Sequence, residues 1–212
     1  QIDALVKEGM DQDEALYRVL KETIIASQDI RFEGDGYSEE WKQEAARRGL
    51  TNICHVPEAI MKFNAPQSKA VLLGENIFNE NELNCRIEVE LEKFTKKVQI
   101  ESRVLGDLAI NHIIPTAVIY QNRLLENLRG LRETFSPEEY EQLGADRREL
   151  VKDIQIRILA IKQLVRKMTE ARKISNHLPS QIEKAFSYAD TVRPYLDEIR
   201  DHIDQLELEI DD

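Results

Sequence analysis

"LGDLAINHIIPTAVIYQN" (105–122) is the least charged stretch of the chain, and it reads as a helix with Asn111, His112 and Pro115 at its middle. A proline inside a helix has no N–H for the carbonyl four residues back, here that of Asn111. Its ring also crowds that carbonyl, and together these cost about 3 kcal/mol. A buried carbonyl left in this way needs another partner. Asn111, His112, Thr116 and Gln121 can mend a kink or bond to a neighbouring element, and the same side chains can instead form a site. The kink is the simpler reading.

Upstream of this stretch, Asn79 and Glu82 make a helix cap, and apolar residues follow at Leu83, Ile87, Leu91, Phe94, Val98, Leu105 and Leu108. Steps of three and four, with one of seven over Ser102, put them on one stripe facing a partner. Beyond Pro115 the pattern resumes through Val118, Leu125 and Leu128 to Gly130, and "SPEEYEQLG" (136–144) opens with Ser136 as cap and Pro137 behind it. A second long helix is expected over 146–174, with Leu150, Ile154, Ile158, Ile161, Val165 and Met168 on one face. Ile156, Leu159 and Leu164 widen that face, which predicts burial on more than one side. A last helix from about Asp190 carries Val192, Leu196, Ile199, Ile203, Leu206 and Ile210 in 4-3-4-3-4 steps, a heptad seam.

The expected fold is therefore mainly all-α. Residues 79–212 should form an antiparallel bundle of long amphipathic helices (about 80–130 with a kink at Pro115, 146–174 and 190–210). Residues 1–78 should form a shorter, irregular, α-rich subdomain. There Asp11 caps a helix to about Ala26, and "IRFEGDGYS" (30–38) looks like a short strand running into a turn that needs positive φ at Gly34 and Gly36. Ser38 caps the next helix with Gly49 as its stop, Pro57 opens another, and "PQSKAVLLG" (66–74) is a further short one.

Composition narrows the function. The 212 residues are 33% charged and 6% aromatic, with a net charge of −11 from 40 acidic against 29 basic side chains. An acidic surface repels phosphate backbones, so nucleic acid is not an expected partner. The uncharged run between Asp107 and Arg123 is too short and polar to span a bilayer, so no membrane partner is expected. Cys54 and Cys85 form no CxxC pair and read as free thiols in a reducing compartment, and a cytoplasmic location is expected. The start at Gln1 and a stop within a helical pattern suggest a piece of something longer.

Chemical motifs are sparse. His55, His112, His177 and His202 are scattered without HxxxH or ExxH partners, so no metal site is expected. "FEGDGYS" (32–38) lacks the lysine of a phosphate loop and carries Asp35, which makes a tight turn the better reading. Glu88 and Glu92 share a helix face with lysines nearby, as a solvated, salt-bridged surface does. No serine or cysteine has the context of an activated nucleophile.

The opening stretch extends to "QIESRVLGDLAINHIIPTAVIYQNRLLENLRGL" (99–131), which resembles a characteristic segment of type III glutamine synthetases. "GDGYSEEWKQEAARRGLTN" (34–52), with Trp41 at its centre, looks like a second family stretch in the family's order. "NENELNCRIEVELEKFTKK" (79–97) lies where the family has a helix rich in Glu and Arg, though Asn84–Cys85 departs from it. The resemblance implies a parent enzyme that joins glutamate and ammonia using ATP with Mg2+ or Mn2+, working as a double ring of like subunits. It also implies that this chain corresponds to the helical C-terminal region, with its own catalytic domain and neighbouring subunits as partners. No catalytic, cofactor-binding or metal-binding residue carries over. Candidate structural or interface residues are Gly34, Gly36, Trp41, Asn111, His112, Pro115, Val192, Ile199, Ile203 and Leu206. The alternative is a stand-alone interaction module that offers the 192–210 seam.

Overall fold

A computed structural model describes residues 1–210. It is helical throughout, with no strand among the described residues, and divides into two units, one ending at Cys54 and one starting at His55.

The first unit holds α1 (Ile2–Lys7), α2 (Gln12–Ala26) and α3 (Glu39–Arg47). Asp11 caps α2 by accepting from the Asp13 N–H, and Ser38 caps α3 by accepting from the Trp41 N–H. Helix α3 stops as expected. Gly49 takes φ +71°, its N–H donates to the Ala46 carbonyl, and the Leu50 N–H donates to that of Ala45. The strand expected at 30–33 is absent: residues 28–30 make one 3-10 turn, and Arg31 is extended without a partner strand. Positive φ falls on Gly9 and Gly49 instead of Gly34 and Gly36. Gly34 is small for another reason, since a Cβ there would lie 2.6 Å from the Phe32 ring. That ring rests on Trp41 with centroids 4.4 Å apart.

The second unit adds α4 (Val56–Met61), α5 (Pro66–Gly74), α6 (Glu80–Leu108), α7 (Ile114–Thr134), α8 (Pro137–Leu143), α9 (Ala145–Asn176), α10 (Gln181–Ser187) and α11 (Pro194–Glu209). The division expected after residue 78 lies after Cys54, because α4 and α5 belong to the bundle. Ile60, Met61, Leu72, Leu73 and Phe78 pack on buried Leu83, Ile87, Leu91 and Ala185. Helix α5 ends at Gly74, where it was expected to, and Asn76 at φ 54° turns the chain just beyond it.

Helix α6 begins with the full capping box of Asn79 and Glu82 and continues through one turn of π-helix (Ala109–Ile113) into α7. Helix α9 returns antiparallel: the Gln121 amide donates to the Val151 carbonyl (2.9 Å), and the Gln99 amide donates to Asn176 Oδ1 (3.2 Å). The third helical arm of the bundle starts earlier than Asp190. A capping box of Ser180 and Glu183 opens α10, and a second π-turn (Tyr188–Val192) joins it to α11.

The main core gathers Val98, Ala109, Ile114 and Ala117 with Ile154, Ile158, Ile161 and Met168, closed by Tyr188, Val192, Ile199 and Leu206. The seam expected on the last helix is thus spent inside this chain, against α9. On α6 the gap at Ser102 is part of the stripe: Thr95, Ser102 and Gly106 are all buried. The Thr95 and Ser102 hydroxyls donate to the carbonyls of Leu91 and Gln99, and the bare Gly106 lets Val165 and Met168 of α9 come close. Leu108, Val118, Leu125, Ile156 and Leu159 are exposed instead, and of the three residues expected to widen the face of α9 only Leu164 packs against the core.

Candidate functional site

The two proline breaks share one construction. At the first, the Ile114 N–H reaches back five residues to the Ala109 carbonyl, and Pro115 follows. At the second, the Arg193 N–H reaches the Tyr188 carbonyl (2.9 Å), and Pro194 follows. A wide turn just ahead of the ring relieves the clash with the carbonyl four residues back. Side chains complete the first repair. The Thr116 hydroxyl donates to the His112 carbonyl (2.9 Å), and the Asn111 amide donates to Asp107 Oδ1 (2.7 Å). Asn111 itself is exposed, and Gln121 is taken up by α9 instead.

Beside this turn runs a groove of about 520 Å³, in which His112, Ile113 and Thr116 face Ile203, Leu206 and Glu207. The structure therefore brings His112 together with two seam residues, Ile203 and Leu206, while Val192 and Ile199 are wholly inside the core. Gly34 and Trp41 meet through Phe32 in the first unit, and Gly36 has open space around it.

The second break carries a polar cluster for which no signal was read in the sequence. Tyr188 is fully buried, yet its hydroxyl donates to Asn176 Oδ1 (2.8 Å), and Ser175 bonds to Ser187 (2.8 Å). Burial pushes the Tyr188 phenol up, while the Gln99 amide and the positive charges of Arg172 and Arg103 partly oppose that shift. His55 ties α4 to this turn. Its Nδ1 accepts from the Glu58 N–H, Nε2 lies 3.0 Å from Asp190 Oδ1, and the ring leans on Phe186. Neutral imidazole with the proton on Nε2 is the form that satisfies both bonds.

Among the described residues no three His, Cys, Asp or Glu side chains converge as a metal site, and no helix is long and apolar enough to cross a membrane.

Residues 15–132 match the family described as the glutamine synthetase C-terminal domain, a span that holds all three quoted stretches, 34–52, 79–97 and 99–131. The whole chain is similar to a glutamine synthetase of Bacteroides fragilis, 71% identical over 211 residues, which is 29% of that protein. A type-3 glutamine synthetase of Dictyostelium discoideum is 28% identical, with 80% of this chain and 27% of its own length covered. A glutamine synthetase of Butyrivibrio fibrisolvens is 31% identical over 120 residues, 57% of this chain and 17% of its own. The chain spans less than a third of the length of each of these relatives. Matched across more than half its residues, and with a type-3 enzyme among its relatives, the chain belongs to the glutamine synthetase C-terminal domain family.

Proposed function

We propose that this chain is a non-catalytic helical segment of a type III glutamine synthetase, and that its role is to brace the assembled enzyme. The parent reaction would join L-glutamate and ammonia with ATP in the cytoplasm, for nitrogen assimilation, using Mg2+ or Mn2+. The segment's partners would be its own catalytic domain and like subunits in a double ring. The observation that carries this reading is apolar surface turned outward on regular helices. Ile100, Val104 and Leu108 stand one turn apart on α6 and are 61%, 52% and 44% exposed, and Leu16, Leu20 and Ile24 repeat the spacing on α2. Rows of this kind mark surfaces that another body covers.

Among the described residues no carboxylate and imidazole cluster is built that would fit the parent's metal ions, and no step of the reaction is assigned to them. The reading as a free-standing module that offers the 192–210 seam is not favoured, since Val192, Ile199 and Leu206 are fully buried against this chain's own core.

Deleting the segment from the natural enzyme tests the proposal. Light scattering should show smaller assemblies, and glutamine formation should fall with them. Normal mass and activity after deletion would overturn it.

A further inference from the structure

The buried face of α9 advances in unbroken steps of four and three through Ile154, Ile158, Ile161, Val165 and Met168, and the next position on that line is Arg172, followed by buried Ser175. A guanidinium thus occupies a seam position of the bundle, and its residue is half-buried. Across the seam, the Gln99–Asn176 hydrogen bond sets the register of α6 against α9. One turn further along each antiparallel helix, that register places Arg103 opposite Arg172. Both positive charges act on the Tyr188 hydroxyl between the helices.

Arg103 lies exposed at the rim of this seam, whereas Arg172 is half-buried in it. An arginine is rarely drawn into a seam without a partner, and like charges set opposite each other repel. Every carboxylate within one turn of either arginine on its own helix is engaged elsewhere. Asp107 accepts from Asn111 (2.7 Å), Glu170 holds Lys173 (2.8 Å), and Glu101 lies 4.0 Å from Lys97. Asp190, on the third element, is held by His55. Among the described residues neither Arg103 nor Arg172 is in an ion pair, in a chain with eleven excess negative charges.

We propose that Arg103 and Arg172 form a clamp for one oxyanion, a phosphate or a carboxylate, at the α6–α9 seam. Guanidinium forks match either group in geometry and charge, and a bound oxyanion turns their mutual repulsion into attraction. Two sources share this chemistry: free phosphate, and a carboxylate brought by residues of the natural polypeptide beyond this chain.

The test follows the Arg103 and Arg172 Nε–H signals by NMR while inorganic phosphate replaces chloride at constant ionic strength. Free phosphate as the source predicts that these two signals shift more than those of exposed Arg18 and Arg200. It also predicts that Tm rises by roughly 2–4 °C at saturation, and that Arg103→Gln and Arg172→Gln each abolish the rise. A carboxylate source predicts no phosphate response here, but displaced signals for the same two arginines in the full natural polypeptide. There the same substitutions should lower Tm. Arg172→Met, which keeps the seam filled, separates loss of the charge from loss of packing. An equal phosphate response in wild type and variants would mean an adventitious ion only and would overturn the clamp. Silence in both settings would overturn it as well.

Discussion

Gly34 earns its place by what stands over it, since any Cβ there meets Phe32. Gly34→Ala should push that ring off Trp41, and because Trp41 is the only tryptophan, the displacement should appear directly as a shift in fluorescence emission. Gly49→Ala acts through the backbone, forcing a side chain into φ +71°, and should cost about 1 kcal/mol in urea unfolding of the first unit. Glu44 supplies a pH signal. Its carboxyl, bonded by Arg47 and then Arg48, is lowered from 4.5 to about 2. Its contribution to α3 is therefore complete above pH 4.5 and is lost as pH falls towards 2. An NMR titration should find the Glu44 midpoint near 2, and a midpoint above 4 would mean that the arginine contacts are not held in solution. Arg48 also donates to the Arg31 and Asp29 carbonyls, so its release should loosen the 28–31 turn over the same range. The caps at Asp11, Ser38, Asn79 and Ser136 were legible in the sequence because each depends on residues within three positions of it. The positive φ assigned to Gly34 and Gly36 was not, since a glycine pair gives no sign of whether backbone or neighbour demands it.

At the scale of elements, small residues and wide turns decide how the helices meet. Gly106 faces Val165 at 3.4 Å and Met168 at 3.7 Å from a built Cβ, which is ordinary contact. Gly106→Ala should therefore stabilise by about 0.5–1 kcal/mol through helix propensity, whereas Gly106→Ile should wedge α6 from α9 and cost about 1–3 kcal/mol. Thermal melts of the pair decide the matter, and a destabilising alanine would show that α9 has no room to spare. Counting apolar residues alone missed this contact, since Thr95, Ser102 and Gly106 carry no hydrophobic signal yet complete the stripe. The turn before Pro115 escaped for a different reason. Buried positions step by five from Ala109 to Ile114, so one extra residue is absorbed there while both flanking helices keep their faces on the core. Deleting Ile110 should return the rod to plain α-helix with both faces still in register, but with Pro115 inside an α-helical ladder. That variant should lose about 3 kcal/mol, and adding Pro115→Ala should restore most of it. Circular dichroism melts read both steps. If the double variant is no better than the single, the turn is held by something other than the proline.

The two units differ in how they are built. In the first, Ala15 and Ala45 are the buried apolar side chains, while the second encloses two clusters that include Tyr188, Met168 and a column of isoleucines. Buried apolar area is the main stabilising term, so cooperativity should reside in the second unit. Residues 55–210 expressed alone should unfold in one sharp transition, and hydrogen exchange within 1–54 should be faster throughout. Equal protection in both would contradict this division. The long helices and their antiparallel order were legible because long amphipathic periods carry them, but α1 and α10 were not expected. Nor was the division after Cys54 legible, since α4 and α5 are too short to show which neighbour they will choose. The repeated arrangement of wide turn, one residue and proline, at 109–115 and 188–194, also has a consequence for descent. A helix can gain the extra residue without the proline, but it cannot gain the proline first without breaking. Among diverged homologues, gaps at either place should therefore coincide with loss of the ring, and insertions that lack the ring should mark the older lineages.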